Sequence, residues 1–353
     1  MKRIKILVSQ CNQGTVLAED VKSCQGTTLV FKDSVLNQYI LDVLIAYGIM
    51  YVWIYTLDDL DQRNGKITEN GNLTDQIEPI KQSHAEAVLV VKQVLKELAV
   101  GKKINYTKIT QISKSVYGNI NNLNVIRCLN SIKDKDEYTY THCVNVAFYA
   151  MLIAKWMNLP KDEIKQVIQA GVLHDIGKVL IPNEILNKRG KLLETEFEIM
   201  KNHTLLGYFS IKDLTEINSS IKDAVLSHHE RSDGSGYPYG LLSKEIPLSA
   251  KIIAIADVYD AMTQDRIYKK GVNPFEAFEM FQTIGMSIFD IQVLNVFLKN
   301  ISSYFTGLKV ILENGEKAEI VYVPPYEITR PVILKGSTFV DITKPNTKIL
   351  TFE

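Results

Sequence analysis

The spacing of hydrophobic residues changes character twice along this chain. Up to about residue 75, apolar positions come in short strand-like runs, Ile4–Ser9, Thr28–Phe31 and Tyr51–Tyr55. One stretch of helical period lies among them, near Ser34–Tyr47, and the zone closes in the polar segment DDLDQRNGKITENGNLTD. From roughly 80 to 305 the apolar residues recur at three and four, which predicts helix almost throughout. Breaks are few there: Leu159-Pro160, Arg189-Gly190, a glycine-rich loop after His229, and Asn273-Pro274. After about 306 the strand pattern returns in Val310–Leu312, Ala318–Val323, Val332–Leu334 and Ile349–Phe352. The fold class expected is therefore mainly α, an all-helical domain flanked by a small mixed α/β N-terminal segment and a small β-rich C-terminal module. The boundaries expected are 1–75 for the accessory segment, 76–114 for a helical connector, 115–305 for the helical domain and 306–353 for the β module. That module is short for a core of its own. It reads as an SH3-like barrel packed on its neighbours, the N-terminal β elements among them.

Several apolar helix faces end in histidine or aspartate. In PKDEIKQVIQAGVLHDIGK, Pro160, Asp162 and Glu163 suit a helix N-terminus, and Ile164, Ile168, Gly171 and Asp175 share a stripe. His174 adjoins that carboxylate, and Lys178 follows one turn later on the same side. TEFEIMKNHTLLGYF opens with a capping box of Thr195 and Glu198 and carries His203 toward the helix middle. Ile221, Ala224, Val225 and His228 share a buried face, with His229 turned by about 100°. Ile253 and Asp257 end another face, and His142 comes from YTYTHCVNVAFY. Buried imidazoles and carboxylates are costly unless paired or bound to metal. Five imidazoles and two carboxylates suit two divalent transition metals, with Asp175 expected to bridge them. His84, the sixth histidine, reads as a helix-surface residue.

Composition narrows the function classes. Lysine plus arginine and aspartate plus glutamate both total 40, so the formal net charge is zero, which argues against long nucleic acid as a partner. The apolar run Val144–Leu159 contains Asn145 and Lys155 and reads as a buried core helix instead of a membrane span. Four cysteines without CxxC spacing and no signal peptide predict reduced thiols and a cytoplasmic protein.

HDIGK, HHERSDGSGYP and IADVYDAMTQDRIYKK together resemble the HD-GYP subgroup of the HD phosphohydrolase superfamily, over about residues 115 to 305. The resemblance implies an all-helical domain whose metal centre hydrolyses cyclic di-GMP, a bacterial second messenger. It implies one metal held by His142, His174, Asp175 and Asp257, and another by Asp175, His203, His228 and His229. It also implies that Asp175 and Lys178 are catalytic and that Lys178, Arg266 and Lys269 contact substrate phosphate or base. Gly236, Tyr237 and Pro238 form the signature loop, a contact for substrate or for a signalling partner. Some members hold a third metal with a glutamate four residues before the first histidine. Tyr138 stands there in this chain, so two metals are expected. Iron or manganese is the expected identity, though the nitrogen and oxygen ligand set also accepts zinc, nickel and cobalt. A homodimer is compatible with this reading.

The expected reaction is hydrolysis of cyclic di-GMP to pGpG, with GMP as a further product, by a hydroxide bridging the two metals. The alternatives are a phosphohydrolase of the same type acting on cyclic GMP-AMP or a mononucleotide, and a catalytically silent receptor.

Overall fold

The computed structural model describes residues 3–55, 73–122, 124–132, 138–265, 270–324, 327–340, 342 and 348–352. The N-terminal segment contains β1 (Arg3–Leu7), β2 (Val21–Lys22), β3 (Thr28–Val30), α1 (Gln38–Ala46) and β4 (Tyr51–Tyr55). β1 and β4 pair antiparallel with Ile4 opposite Ile54 and Ile6 opposite Val52, which puts β-branched side chains across from one another. Asn37 caps α1 by accepting from the Ile40 amide at 2.9 Å.

The helical middle runs through α2 (Leu73–Ala99), α3 (Tyr106–Gly118), α4 (Val125–Ser131), α5 (Tyr138–Trp156) and α6 (Lys161–Leu173). It continues with α7 (Glu194–Lys201), α8 (His203–Ile211), α9 (Ser219–Ser227), α10 (Leu248–Thr263), α11 (Pro274–Gln282) and α12 (Ile291–Ile301). Every residue of α5 from Thr141 to Ala154 is buried, so this helix has no solvent face and forms the axis of the core. A polar side chain on it must find its partner inside the protein.

One helix start differs from the sequence expectation. α7 begins at Glu194, and the Glu196 carboxylate accepts from the Leu193 amide at 2.6 Å. The reciprocal contact is therefore made two residues earlier than the Thr195 and Glu198 pair would make it. The chain then turns at Asn202, and His203 opens α8 instead of lying within one long helix.

The tail forms β5 (Lys309–Leu312), β6 (Lys317–Tyr322), β7 (Val332–Lys335), β8 (Thr338–Val340) and β9 (Ile349–Phe352). These make one antiparallel sheet in the order β8-β7-β6-β5-β9, so among the described residues β8 and β9 are its edges and no barrel closure is seen. The sheet is anchored on two sides. Val310, Leu312, Ile320 and Ile333 join the main helical core, whereas Tyr322 belongs to the cluster around Leu17, Leu36 and Leu44. The Asn37 side-chain amide donates to the Val321 carbonyl at 2.6 Å, and the Tyr322 hydroxyl donates to the Leu29 carbonyl. A module too small to bury its own strands thus shares two neighbouring cores. Among the described residues no helix is long and apolar enough to cross a membrane. All four cysteines are free thiols.

Candidate metal centre

Most of the histidines and aspartates that end apolar faces come from helix termini and converge in the core. His174 caps α6, and Asp175 follows it in the turn that leads into a short 3-10 segment. His203 starts α8, His228 caps α9 with His229 next, and Asp257 projects from α10. His142 alone comes from the first turns of the buried axis α5. Close packing makes the convergence possible. A Cβ on Gly177 would strike the His203 carbonyl, so the 3-10 segment can lie against α8 only because no side chain is there.

Two groups of ligand atoms result, each within 4.8 Å of one another: Asp175 with His203, His228 and His229, and His142 with His174 and Asp257. Asp175 stands between the groups. Its Oδ2 lies 3.3 Å from His174 Nε2 and 3.7 Å from His142 Nε2. Its Oδ1 lies 3.4 Å from His203 Nε2 and 3.9 Å from His228 Nε2. The Lys178 ammonium donates to Asp175 Oδ2 at 2.5 Å. Burial pushes the Asp175 carboxyl up, but electrostatic attraction to the adjoining His174 ring and to the Lys178 ammonium outweighs it and holds the group well below its ordinary value. Burial works against the charge of Lys178 too, and Asp175 and Asp257 outweigh it, raising the ammonium above its usual range.

Four of the imidazoles are aimed by their Nδ1 atoms. His174, His203 and His228 donate from Nδ1 to the carbonyls of Gly171, Met200 and Val225, at 2.7, 2.8 and 2.9 Å. Each bond goes three residues back, so local helix-end geometry fixes the tautomer and leaves the Nε2 lone pair facing the cluster. His142 Nδ1 instead donates to Asp260 Oδ2 at 2.7 Å, and its Nε2 lies 3.1 Å from Asp257 Oδ1. Burial depresses His203 to about 4 and holds His228 and His229 well below their ordinary value. His142 goes the other way, since Asp257 and Asp260 overcome the cost of burial and raise it to about 9.

The fit of this site to metal ions can be judged from its own atoms. His174 Nε2 and Asp175 Oδ1 are buried and have no hydrogen-bond partner, which is costly for groups of this polarity. Both point into the cluster, and a donor set of imidazoles and carboxylates is the kind that divalent transition metals take. The residues present can hold such ions.

The loop beside the group that contains His229 packs tightly against it. Tyr237 stacks on His229 with ring centroids 4.7 Å apart, and its ring also lies 6.3 Å from that of Phe197. Gly236 leaves no space for a Cβ, which would strike the Arg231 amide and the Glu230 Cα. Glu230 is buried and accepts from the Tyr239 and Leu241 amides at 2.7 and 2.9 Å, holding the loop closed. Asp233 accepts from the Ser235 amide and hydroxyl at 3.0 and 2.6 Å. Both carboxylates shape the loop. Pro238 follows Tyr237 through a cis bond. Arg266 and Lys269 lie outside the described residues.

Two residues of the site region were missed by sequence reasoning. His84 is buried, 4% exposed, contrary to the surface position expected, and its Nε2 lies 2.7 Å from Asn145 Oδ1. Asn145 in turn donates from Nδ2 to Asp260 Oδ1 at 2.9 Å. The signal was available. Ile80, His84, Ala87 and Val91 fall on one helical stripe, and all four are buried. Asn145 is an amide within the apolar run that begins at Val144, three residues past His142.

Residues 127–293 match the family model described as an HD domain. The chain is 41% identical over 208 residues to the cyclic di-GMP phosphodiesterase PA4108 of Pseudomonas aeruginosa, covering 59% of this chain and 49% of that protein. It is 34% identical over 177 residues to 3'3'-cGAMP-specific phosphodiesterase 1 of Vibrio cholerae, covering 50% of this chain and 41% of that protein. The chain thus spans about half or less of the length of these relatives. Among solved structures, Bd1817, an HDG"Y"P protein from Bdellovibrio bacteriovorus, aligns over 84% of this chain and 98% of its own with a TM-score of 0.54. Sequence identity there is 15%, so that likeness is one of fold.

Proposed function

We propose that this chain, whose residues 127–293 match an HD-domain family model, is a metal-dependent phosphodiesterase that opens cyclic di-GMP to pGpG. The observation that carries the reading is Asp175, a fully buried carboxylate whose two oxygens face two separate groups of ligand atoms. Two divalent ions fit there, iron or manganese by preference. His142, His174, Asp175 and Asp257 would hold one, and Asp175, His203, His228 and His229 the other. Such ions supply Lewis acidity toward a phosphodiester and a nucleophile at neutral pH.

The protein's own groups do the rest. Lys178 keeps its positive charge beside Asp175 and would meet a non-bridging phosphate oxygen, where negative charge grows in the transition state. Arg266 and Lys269 would grip the second phosphate or a guanine edge. Tyr237, held flat against His229, offers a ring face to a base, and Gly236 and Pro238 fix its approach. The relative that is specific for 3'3'-cGAMP supports a second reading, in which the same centre acts on that cyclic dinucleotide.

Anaerobically purified protein should contain two transition-metal ions per chain and convert cyclic di-GMP to pGpG, and Asp175→Ala should abolish both. Hydrolysis unchanged in that variant would sink the enzyme reading, and three ions per chain would sink the two-ion site. A panel of cyclic di-GMP, 3'3'-cGAMP and mononucleotides ranks the substrates by kcat/KM.

A further inference from the structure

We infer that His84, on a helix outside the region matched to the HD family, is a positioning residue for the metal centre, acting through Asn145 and Asp260 on His142. The inference rests on the reading that His142 is a metal ligand. Four buried side chains form one line: His84 Nε2 to Asn145 Oδ1 at 2.7 Å, Asn145 Nδ2 to Asp260 Oδ1 at 2.9 Å, and Asp260 Oδ2 to His142 Nδ1 at 2.7 Å. Exposure is 4% for His84, 3% for His142 and zero for Asn145 and Asp260, so water does not supply substitutes.

Donor and acceptor logic gives the line a direction. An ionised carboxylate only accepts, so Asp260 needs N–H groups on both oxygens. The Asn145 amide therefore turns its nitrogen to Asp260, which leaves its oxygen facing α2. That oxygen needs a donor, and His84 supplies one only as the Nε2–H tautomer. His84 in that tautomer thus locks the Asn145 amide in the orientation that Asp260 requires, and the other tautomer would oppose it. A reversed amide would press its oxygen against the Asp260 carboxylate, and Asp260 would lose one of the bonds that hold it square to His142. With Asp260 in place, His142 gives its Nδ1–H away and keeps Nε2 as the atom that faces Asp257 and Asp175. His84 also stacks on Phe148 of α5, with ring centroids 6.1 Å and ring planes 25° apart, which limits rotation of its ring.

α2 precedes the matched region 127–293, so the aim of one ligand of this centre is set from outside the family domain. A shift of α2 against α5 would reach His142 through two intermediates.

The test is Mn²⁺ titration by calorimetry into the metal-free full chain, for the wild type, His84→Met and His84→Gln. Glutamine keeps a donor near the position of Nε2, and methionine fills the space without one. His84→Met should weaken Mn²⁺ binding by about tenfold, the low end of the range for outer groups that orient metal-bound histidines. His84→Gln should bind close to wild type. Wild-type affinity in His84→Met, or equal weakening in both variants, would overturn the inference. Nitrogen-correlated NMR of the metal-free wild type decides the point without any variant. A neutral His84 protonated at Nε2 is expected, and protonation at Nδ1 alone would overturn the inference. Wild-type protein that took up no Mn²⁺ would defeat the metal-centre reading instead, with the His84 tautomer still read separately.

Discussion

The histidines of the two ligand groups are aimed by two different means. In the group around His203 and His228, local backbone aims the rings, with Nδ1 bonded to the carbonyl three residues earlier. His174 belongs to the other group but is aimed in the same local way. His142 depends on Asp260, 118 residues away in sequence, and through it on Asn145 and His84. Helix ends expose carbonyls that have no intrahelical donor, so a histidine there finds its acceptor at no cost to the helix. Where a helix is buried on every side, as α5 is from Thr141 on, the donor Nδ1–H must be met by a side chain from elsewhere. Local aim is robust to distant changes, whereas remote aim can be altered from outside the site.

The largest expected effect erases the comparison altogether. Asp175→Ala removes the oxygens facing both groups and should lower turnover on cyclic di-GMP on the order of 10⁴-fold, the scale for losing a group that acts as part of a unit. Steady-state kinetics on metal-reconstituted protein measures this. Asp260→Asn comes next and separates the groups. It should weaken binding of one ion by about 10–100-fold while the ion held by His203, His228 and His229 stays bound, as read from stoichiometry and Kd. Equal loss of both ions would show that the groups are not independent.

The third prediction uses proton linkage in metal-free protein. The folded-state value of His203, about 4, lies below the ordinary 6.5, so folding favours its neutral form. Its contribution to stability is fully present above 6.5 and is lost as pH falls toward 4. For His142 the folded value of about 9 lies above 6.5, so its contribution is present below 6.5 and is lost as pH rises through 9. Melting temperatures across pH should thus fall on both sides. His203→Gln should flatten the acid side, and His142→Gln the alkaline side.

The smallest effect concerns a feature that the groups share. Tyr138 stacks on His142 and Tyr237 on His229, with centroids 5.5 and 4.7 Å apart. Beyond lost burial, Tyr138→Leu and Tyr237→Leu should each cost about 0.5–1.5 kcal/mol of metal-free stability, measured by urea unfolding. A much larger cost at Tyr138 would mean that it does more for its group than stack.

Much of this architecture can be read from linear pattern. The change from strand spacing to helical spacing and back matches the order of elements, apart from β2 and β8, whose two and three residues carry too little pattern to be seen. The stretch Val144–Leu159 reads as a core helix, and α5 is buried on every side through Ala154. Ligand residues stand out because histidine and aspartate at the ends of apolar faces are rare without a purpose. His84 escaped because a single histidine within the mixed stretch QSHAEAV has no such contrast.

The sequence by itself determined the helical middle, the ends of the apolar faces and the seven residues that meet there, because periodicity and the cost of burying charge are local facts. Tertiary structure alone decided which ligand atoms share a group, that Asp175 turns one oxygen to each, and that α2 reaches His142 through Asn145 and Asp260. Those are relations between segments up to 118 residues apart, set by how helices pack. The hydrophobic pattern says that a face is buried but does not say against what.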